Sequence, residues 1–251
     1  MKKSDKAVLV TGAAKRVGRV IALDLAAHGW AVALHYNSST ADAEETVAAL
    51  HEKGVHAAAL NADFTLEDDV QHLIGRAREA VGPITALVNN AALFENDNIR
   101  NLTRESWDRH MAVNLRAPLL LSQLFAEQLP DGREGAIVNL LDRRVLTPAP
   151  DFISYGVSKA GLHWLTMVLA QALAPRVRVN AVAPGPSLRN ARQSEEHFRR
   201  EVASTLLGRG GAPEDVAAAV RYLLEARAVT GQTIAVDGGQ HLEWRSHSPS
   251  S

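Results

Sequence analysis

The sequence predicts one α/β domain, a doubly wound seven-stranded parallel sheet with helices on both faces. Short apolar, β-branched runs alternate with longer stretches of helical period, the pattern of βαβ units feeding a parallel sheet. The first run, Ala7 to Val10, passes through Thr11-Gly12 into a helix with apolar residues at Val20, Ile21, Leu23 and Leu25, a strand-turn-helix unit. No Pro/Gly/Ser-rich linker or internal repeat divides the 251 residues, a length within the ordinary span of a single α/β domain.

Strands are expected near 6–11, 31–36, 55–61, 84–89, 135–141, 177–183 and 232–236. Helices are expected near 17–28, 41–53, 66–80, 103–129, 152–174 and 213–226. Acidic first turns support them, as in Leu66-Glu67-Asp68-Asp69 and Ala212-Pro213-Glu214-Asp215, because carboxylates complement the positive end of a helix. The stretch 186–210 is polar and Arg-rich and reads as a mobile flap over a site; Ser246 to Ser251 read as a frayed tail.

Composition narrows the function. Apolar residues at 46% and charged residues at 22% fit a soluble globular protein, and a net charge of -1 draws neither nucleic acid nor anionic lipid. The absence of cysteine excludes disulfides, thiolate metal sites and cysteine nucleophiles. The ten histidines show no zinc-like spacing, so no metal is expected. The apolar run behind Lys2 and Lys3 is too short for a signal-peptide core, and nothing approaches the roughly 18 apolar residues of a membrane span. A cytoplasmic enzyme acting on a small molecule is the expectation.

The segment Thr11-Gly12-Ala13-Ala14-Lys15-Arg16-Val17-Gly18 stands where a Rossmann-type fold holds a dinucleotide pyrophosphate. Gly12 permits the tight turn, Gly18 permits close helix packing, and the helix N-terminus offers free N–H groups. Arg16 takes the place of a middle glycine and brings a permanently charged donor fork to the phosphate edge. The second strand ends in Leu34-His35-Tyr36-Asn37-Ser38-Ser39, without the carboxylate that NAD enzymes set against the ribose 2'-hydroxyl. An amide, hydroxyls and Arg16 suit a 2'-phosphate, so NADPH is expected over NADH. Asp63, followed by Phe64, can accept from the adenine amino group or close an Asx turn.

Tyr155 and Lys159 are four apart in a strong helical pattern and share a face, about 5–6 Å apart at Cβ. Tyrosine is a poor acid, with a pKa near 10; a neighbouring ammonium stabilises the phenolate and can also hold ribose hydroxyls. Further along stand Asn89-Asn90-Ala91-Ala92, Asn114, Val182-Ala183-Pro184-Gly185-Pro186-Ser187 and Val236-Asp237-Gly238-Gly239. Together these motifs resemble the short-chain dehydrogenase/reductase family over nearly the full chain. The resemblance implies a proton relay through Asn114, Tyr155, Lys159 and water. It also implies that Asn90 and Ala91 line the cofactor, that Pro184, Gly185 and Ser187 meet its nicotinamide end, and that a homotetramer forms through the helices near 103–129 and 152–174.

The family's usual serine, thirteen residues before the tyrosine, is here Asp142. A serine can orient a carbonyl, whereas a carboxyl group can protonate a ring nitrogen, which points toward C=N substrates. The alternative for Asp142 is a surface pair with Arg143 or Arg144. TGAAKRVGR, HYNSS, NNAALF and Asp142 resemble the pteridine reductases in particular. That resemblance implies that Phe94 stacks on a pterin, with Leu188 beside it. Two residues depart from the group: Ser38 stands where an arginine is common, and Ala92 replaces a serine. The expected reaction is NADPH-dependent reduction of a pterin C=N bond. A reductase of 3-oxoacyl thioesters or sugar ketones, with Ser154 or a water replacing the missing serine, is the alternative; a catalytically silent NADPH-binding scaffold is a third reading.

Overall fold

The computed structural model describes residues 6–189 and 194–242; the predicted tail, Ser246 to Ser251, lies outside the described residues. The strands are β1 (Ala7–Val10), β2 (Ala31–Tyr36), β3 (Ala57–Asn61), β4 (Ala86–Asn89), β5 (Gly135–Leu140), β6 (Val177–Pro184) and β7 (Thr233–Val236). They form one parallel sheet in the order β3-β2-β1-β4-β5-β6-β7. Chain order reverses between β1 and β4, so the crevice beyond their C-terminal ends is the natural ligand site of this topology.

All four β1 residues are buried, with Val8 and Val10 in one core layer and Ala7 and Leu9 in the other, as the period of two in a strand requires. On the first face pack α1 (Arg16–Ala27), α2 (Thr40–Glu52) and α8 (Pro213–Glu225) through Ile21, Leu25, Leu50, Val216 and Val220. On the second face pack α3 (Glu67–Val81), α5 (Ala117–Gln128) and α6 (Ile153–Ala172) through Leu73, Ile74, Leu121, Phe125 and Ala170. Each large apolar side chain so covered stabilises the fold by about 1.5–3 kcal/mol, and burial on both faces is why the strands read as unbroken apolar runs. Local signals agree with these packings: α8 starts with Pro213 in its first turn, and Asp215 Oδ2 accepts from Ala212 N at 3.0 Å.

Two expectations need correction. The helix expected over 103–129 is α4 (Arg104–Met111), a π-helical turn at Ala112–Arg116, and then α5. The wider turn carries the fully buried Asn114; π turns of this kind concentrate at functional sites. The irregular stretch expected over 186–210 contains α7 (Glu195–Ala203). Ser194 caps it, accepting from His197 N at 3.1 Å, and the pairs Glu195–Arg199 and Glu196–Arg200 brace its exposed surface. Because α7 buries none of its residues, it has no apolar stripe to announce it. No helix among the described residues is long and apolar enough to cross a membrane.

Candidate active site

A cavity of about 370 Å³ opens in the crevice between β1 and β4. Its floor is the loop after β1. Gly12 has φ +61°, and a Cβ there would lie 2.8 Å from Ala91 Cα; one on Gly18 would lie 2.3 Å from Gly12 O, so both contacts demand glycine. Arg16 has φ +56°, the left-handed backbone that explains why a glycine commonly stands there. No side chain caps the start of α1, which leaves its first-turn N–H groups available to an anion. Asn90 ties β4 to this loop: its N donates to Thr11 Oγ1 at 2.9 Å and to Val88 O at 3.1 Å, and its Nδ2 donates to Thr11 O at 2.8 Å and Gly12 O at 3.0 Å.

The predicted loop residues Gly12 and Lys15 to Gly18 all line the cavity, as do Asn37, Asp63, Phe64, Asn90 and Ala91. Ser38 and Ser39 lie outside it, and so do Pro184, Gly185 and Ser187, whose Oγ donates to Gly185 O at 3.3 Å. Asp63 closes the Asx turn, with Oδ1 accepting from Thr65 N at 2.9 Å and Thr65 Oγ1 at 2.8 Å. The Arg16 guanidinium, expected at the phosphate edge, donates to Arg189 O at 3.0 Å and Leu188 O at 3.3 Å, bridging the loop to the segment after β6. His35 was missed as a site residue. Its Nδ1 accepts from Gly12 N at 3.1 Å, its Nε2 meets Ala62 O at 3.0 Å, and its ring stacks on Phe64 at 4.2 Å. Burial lowers its pKa to about 4, so it is a neutral brace under the glycine turn.

Beyond β5 and α6 lies the second cluster. Tyr155 is 6% exposed and Lys159 2%. The Tyr155 Oη donates to Asp142 Oδ2 at 3.0 Å. Asp142 is therefore not merely a surface partner of arginine, although its Oδ1 accepts from Arg144 N at 2.8 Å. Lys159 Nζ donates to Leu140 O at 2.7 Å and stands 5.9 Å from the Tyr155 ring centre. Burial lowers Lys159 from 10.5 to about 8, with Asp142 opposing the shift. Burial, followed by the Asp142 charge and hydrogen bond, raises Tyr155 well above its usual range, with Arg144 opposing. The expectation that the ammonium lowers the phenol's pKa is thus reversed, because desolvation and a carboxylate at hydrogen-bond distance outweigh it.

Asn114 Oδ1 accepts from Leu93 N at 2.8 Å, and its Nδ2 donates to Leu93 O and Ser158 Oγ, each at 3.0 Å. Ser158 Oγ donates in turn to Tyr155 O at 2.7 Å. The Asn114 side chain thus braces the loop after β4 against α6, and its hydrogen bonds go to neither the Tyr155 nor the Lys159 side chain. Phe94 follows that loop. It is 37% exposed, stacks on Phe152 at 4.4 Å and meets the Tyr155 ring edge-on at 4.7 Å. Sequence reasoning missed Phe152, which covers one Phe94 face.

The sequence family described as enoyl-(acyl carrier protein) reductase matches residues 12–241. The 3-oxoacyl-[acyl-carrier-protein] reductase FabG of Staphylococcus epidermidis is 34% identical over 244 residues, which span 95% of this chain and 100% of that protein. The chain belongs to the short-chain dehydrogenase/reductase family. The 3beta-hydroxysteroid dehydrogenase 1 of Eggerthella lenta is 37% identical over 245 residues, 94% of each chain. The crystal structure of FolM alternative dihydrofolate reductase 1 from Brucella canis, complexed with NADP, superposes with a TM-score of 0.94 at 44% identity, covering 99% of this chain and 98% of that one. These names span three substrate classes, so family membership leaves the substrate to the site itself.

This short-chain dehydrogenase/reductase also closes one alternative for its missing serine. Ser154 is fully buried. Its Oγ donates to Asp97 Oδ2 and its N to Asp97 Oδ1 at 3.0 Å, while Ser106 Oγ donates to Asp97 Oδ2 at 2.9 Å. The Ser154 hydroxyl is committed to pinning the start of α6 and cannot stand in at Asp142. Asp97 was not among the predicted site residues.

Proposed function

We propose that this chain reduces the C=N bond of a dihydropterin, with NADPH as cofactor. The observation that carries the reading is the hydrogen bond from Tyr155 Oη to Asp142 Oδ2 at 3.0 Å. A phenol and a carboxyl group meeting at one point can hand a proton to a ring nitrogen, where a serine only orients a carbonyl. The partly exposed Phe94 ring offers an apolar face to a flat heterocycle, and the likeness to the FolM structure supports the same substrate class.

The chain's residues fit the cofactor: two glycines no side chain could replace, an uncapped α1, cations at Lys15 and Arg16, and no carboxylate ending β2. NADPH, when bound, supplies hydride. Gly12, Lys15, Arg16, Val17 and Gly18 would hold its phosphates, with Asn37, Ser38 and Ser39 at the ribose 2'-position. Asp63 and Phe64 would border the adenine, Asn90 and Ala91 the central portion, and Pro184, Gly185 and Ser187 the nicotinamide amide. Lys159 would hold ribose hydroxyls. Tyr155 passes its Oη proton to the substrate nitrogen, and Asp142 fixes the phenol and relays its replacement proton. Asn114 keeps α6 in register with the loop that carries Phe94, and Leu188 would border the substrate.

The test is NADPH consumption with dihydropterins against a 3-oxoacyl thioester and simple ketones; turnover confined to the carbonyl compounds would overturn the reading. Asp142→Ser is expected to lower dihydropterin kcat/KM by about 100-fold or more with the NADPH Kd unchanged. The 34% identity to FabG favours carbonyl reduction as a second reading, for which the same substitution should raise ketone turnover.

A homotetramer accompanies this reading. Val157, Trp164 and Met167 are exposed on α6, Trp164 by 60%, an apolar surface suited to a second copy. Trp164→Glu is expected to reduce the mass measured by light scattering; a monomeric parent protein would remove the inference.

A further inference from the structure

Arg144 follows β5 in the short 3-10 turn Arg143–Val145, and its side chain is only 18% exposed. Arginine carries five N–H donors, and side chains this covered ordinarily use theirs. This one does not. Nη1 stands 3.7 Å from Asp142 Oδ1 and Nη2 3.9 Å from Asp151 Oδ1, ion-pair separations beyond hydrogen-bond length. Nε is buried and has no hydrogen-bond partner among the described residues. The guanidinium is nevertheless well placed, 5.0 Å from the Phe152 ring and 5.9 Å from the Phe94 ring, which stack on each other. An unused donor fork, an aromatic platform and the Asp142–Tyr155 pair therefore converge on one point.

We propose that Arg144 reads the acceptor edge of the substrate, donating to the ring carbonyl oxygen of a flat heterocycle seated against Phe94. The proposal rests on the dihydropterin reading and names the feature of that substrate the site selects. A guanidinium is planar and can aim two of its N–H groups at the two in-plane lone pairs of one carbonyl oxygen, a geometry that a flexible ammonium does not reproduce. A simple ketone has a single acceptor, which Tyr155 would already occupy, and would leave the Arg144 donors buried and unpaired. The arginine thus discriminates for ring lactams and against aliphatic carbonyl chains, a selection that the Tyr155–Lys159 pair cannot make. In the sequence Arg144 was visible only as a neighbour of Asp142.

The experiment is a calorimetric binding cycle on the NADP-loaded protein with two inert probes, 2-amino-4-oxopteridine and 2-aminopteridine, which lacks the oxo group. The parent protein is expected to bind the oxo compound at least about tenfold more tightly, since a hydrogen bond to a charged donor is worth about that much. Arg144→Met should bind both probes alike, Arg144→Lys should restore part of the preference, and neither should change the Kd for NADP. A parent protein with no preference, or an Arg144→Met variant that keeps it, overturns the proposal. An Arg144-dependent preference without dihydropterin turnover would refute the proposed reaction and uphold this role. Turnover with a preference that survives Arg144→Met would do the reverse.

Discussion

Tyr155→Phe is expected to reduce turnover by about 10²–10⁴-fold while leaving NADPH affinity nearly unchanged, the scale on which a positioned general acid acts. The substitution keeps the ring that meets Phe94 edge-on and removes only the hydroxyl that donates to Asp142 Oδ2. Because burial and Asp142 hold the phenol well above its usual range, Tyr155 carries its proton throughout any ordinary assay. No other side chain among the described residues occupies that donor position. The variant also leaves a partly buried carboxylate oxygen without its donor, a loss of about 1–3 kcal/mol in stability. Single-turnover NADPH oxidation checks the rate and fluorescence titration checks binding. A loss below tenfold would transfer the acid role to Asp142 alone.

The parts of this molecule that were legible in the sequence are those whose cause is local. Strands buried on both faces become apolar runs, Gly12 and Gly18 mark a turn at its own positions, and an i, i+4 spacing puts Tyr155 and Lys159 on one helical face. Asp142 was found by its distance along the chain from Tyr155, and the structure joins the two side chains. What escaped is created by long-range contact. His35 becomes a site residue only when the sheet sets it beneath Gly12, and Ser154 is removed from the chemistry by Asp97, 57 positions earlier. Phe152 and Arg144 have no period or motif; their meaning appears when Phe94 arrives from the loop after the neighbouring strand β4. The π turn at Asn114 escaped for another reason, since one wider turn leaves the flanking apolar pattern intact.

Lys159→Met is expected to disable turnover and, in the cofactor-free protein, to increase stability. The ammonium is almost wholly buried, and burial lowers it from 10.5 to about 8. At about 1.4 kcal/mol per unit, keeping it charged destabilises the native state by roughly 3 kcal/mol. Methionine removes that penalty and leaves Leu140 O without the Lys159 donor, a loss of about 1–3 kcal/mol, so a net gain of at most about 2 kcal/mol remains. The pH dependence follows from the sign of the shift. Below about 8 the lysine is protonated in both folded and unfolded chains, and the whole penalty is present. Between about 8 and 10.5 the unfolded chain binds more protons than the folded one, so the parent protein gains stability as pH rises, and the advantage of the variant shrinks. Urea midpoints measured near pH 7 and near pH 9.5 test both statements. A variant less stable than the parent near pH 7 would mean that the bond to Leu140, rather than the buried charge, dominates at this position. A lysine kept against that penalty is one whose charge serves a ligand, and the same substitution should accordingly raise the NADPH Kd.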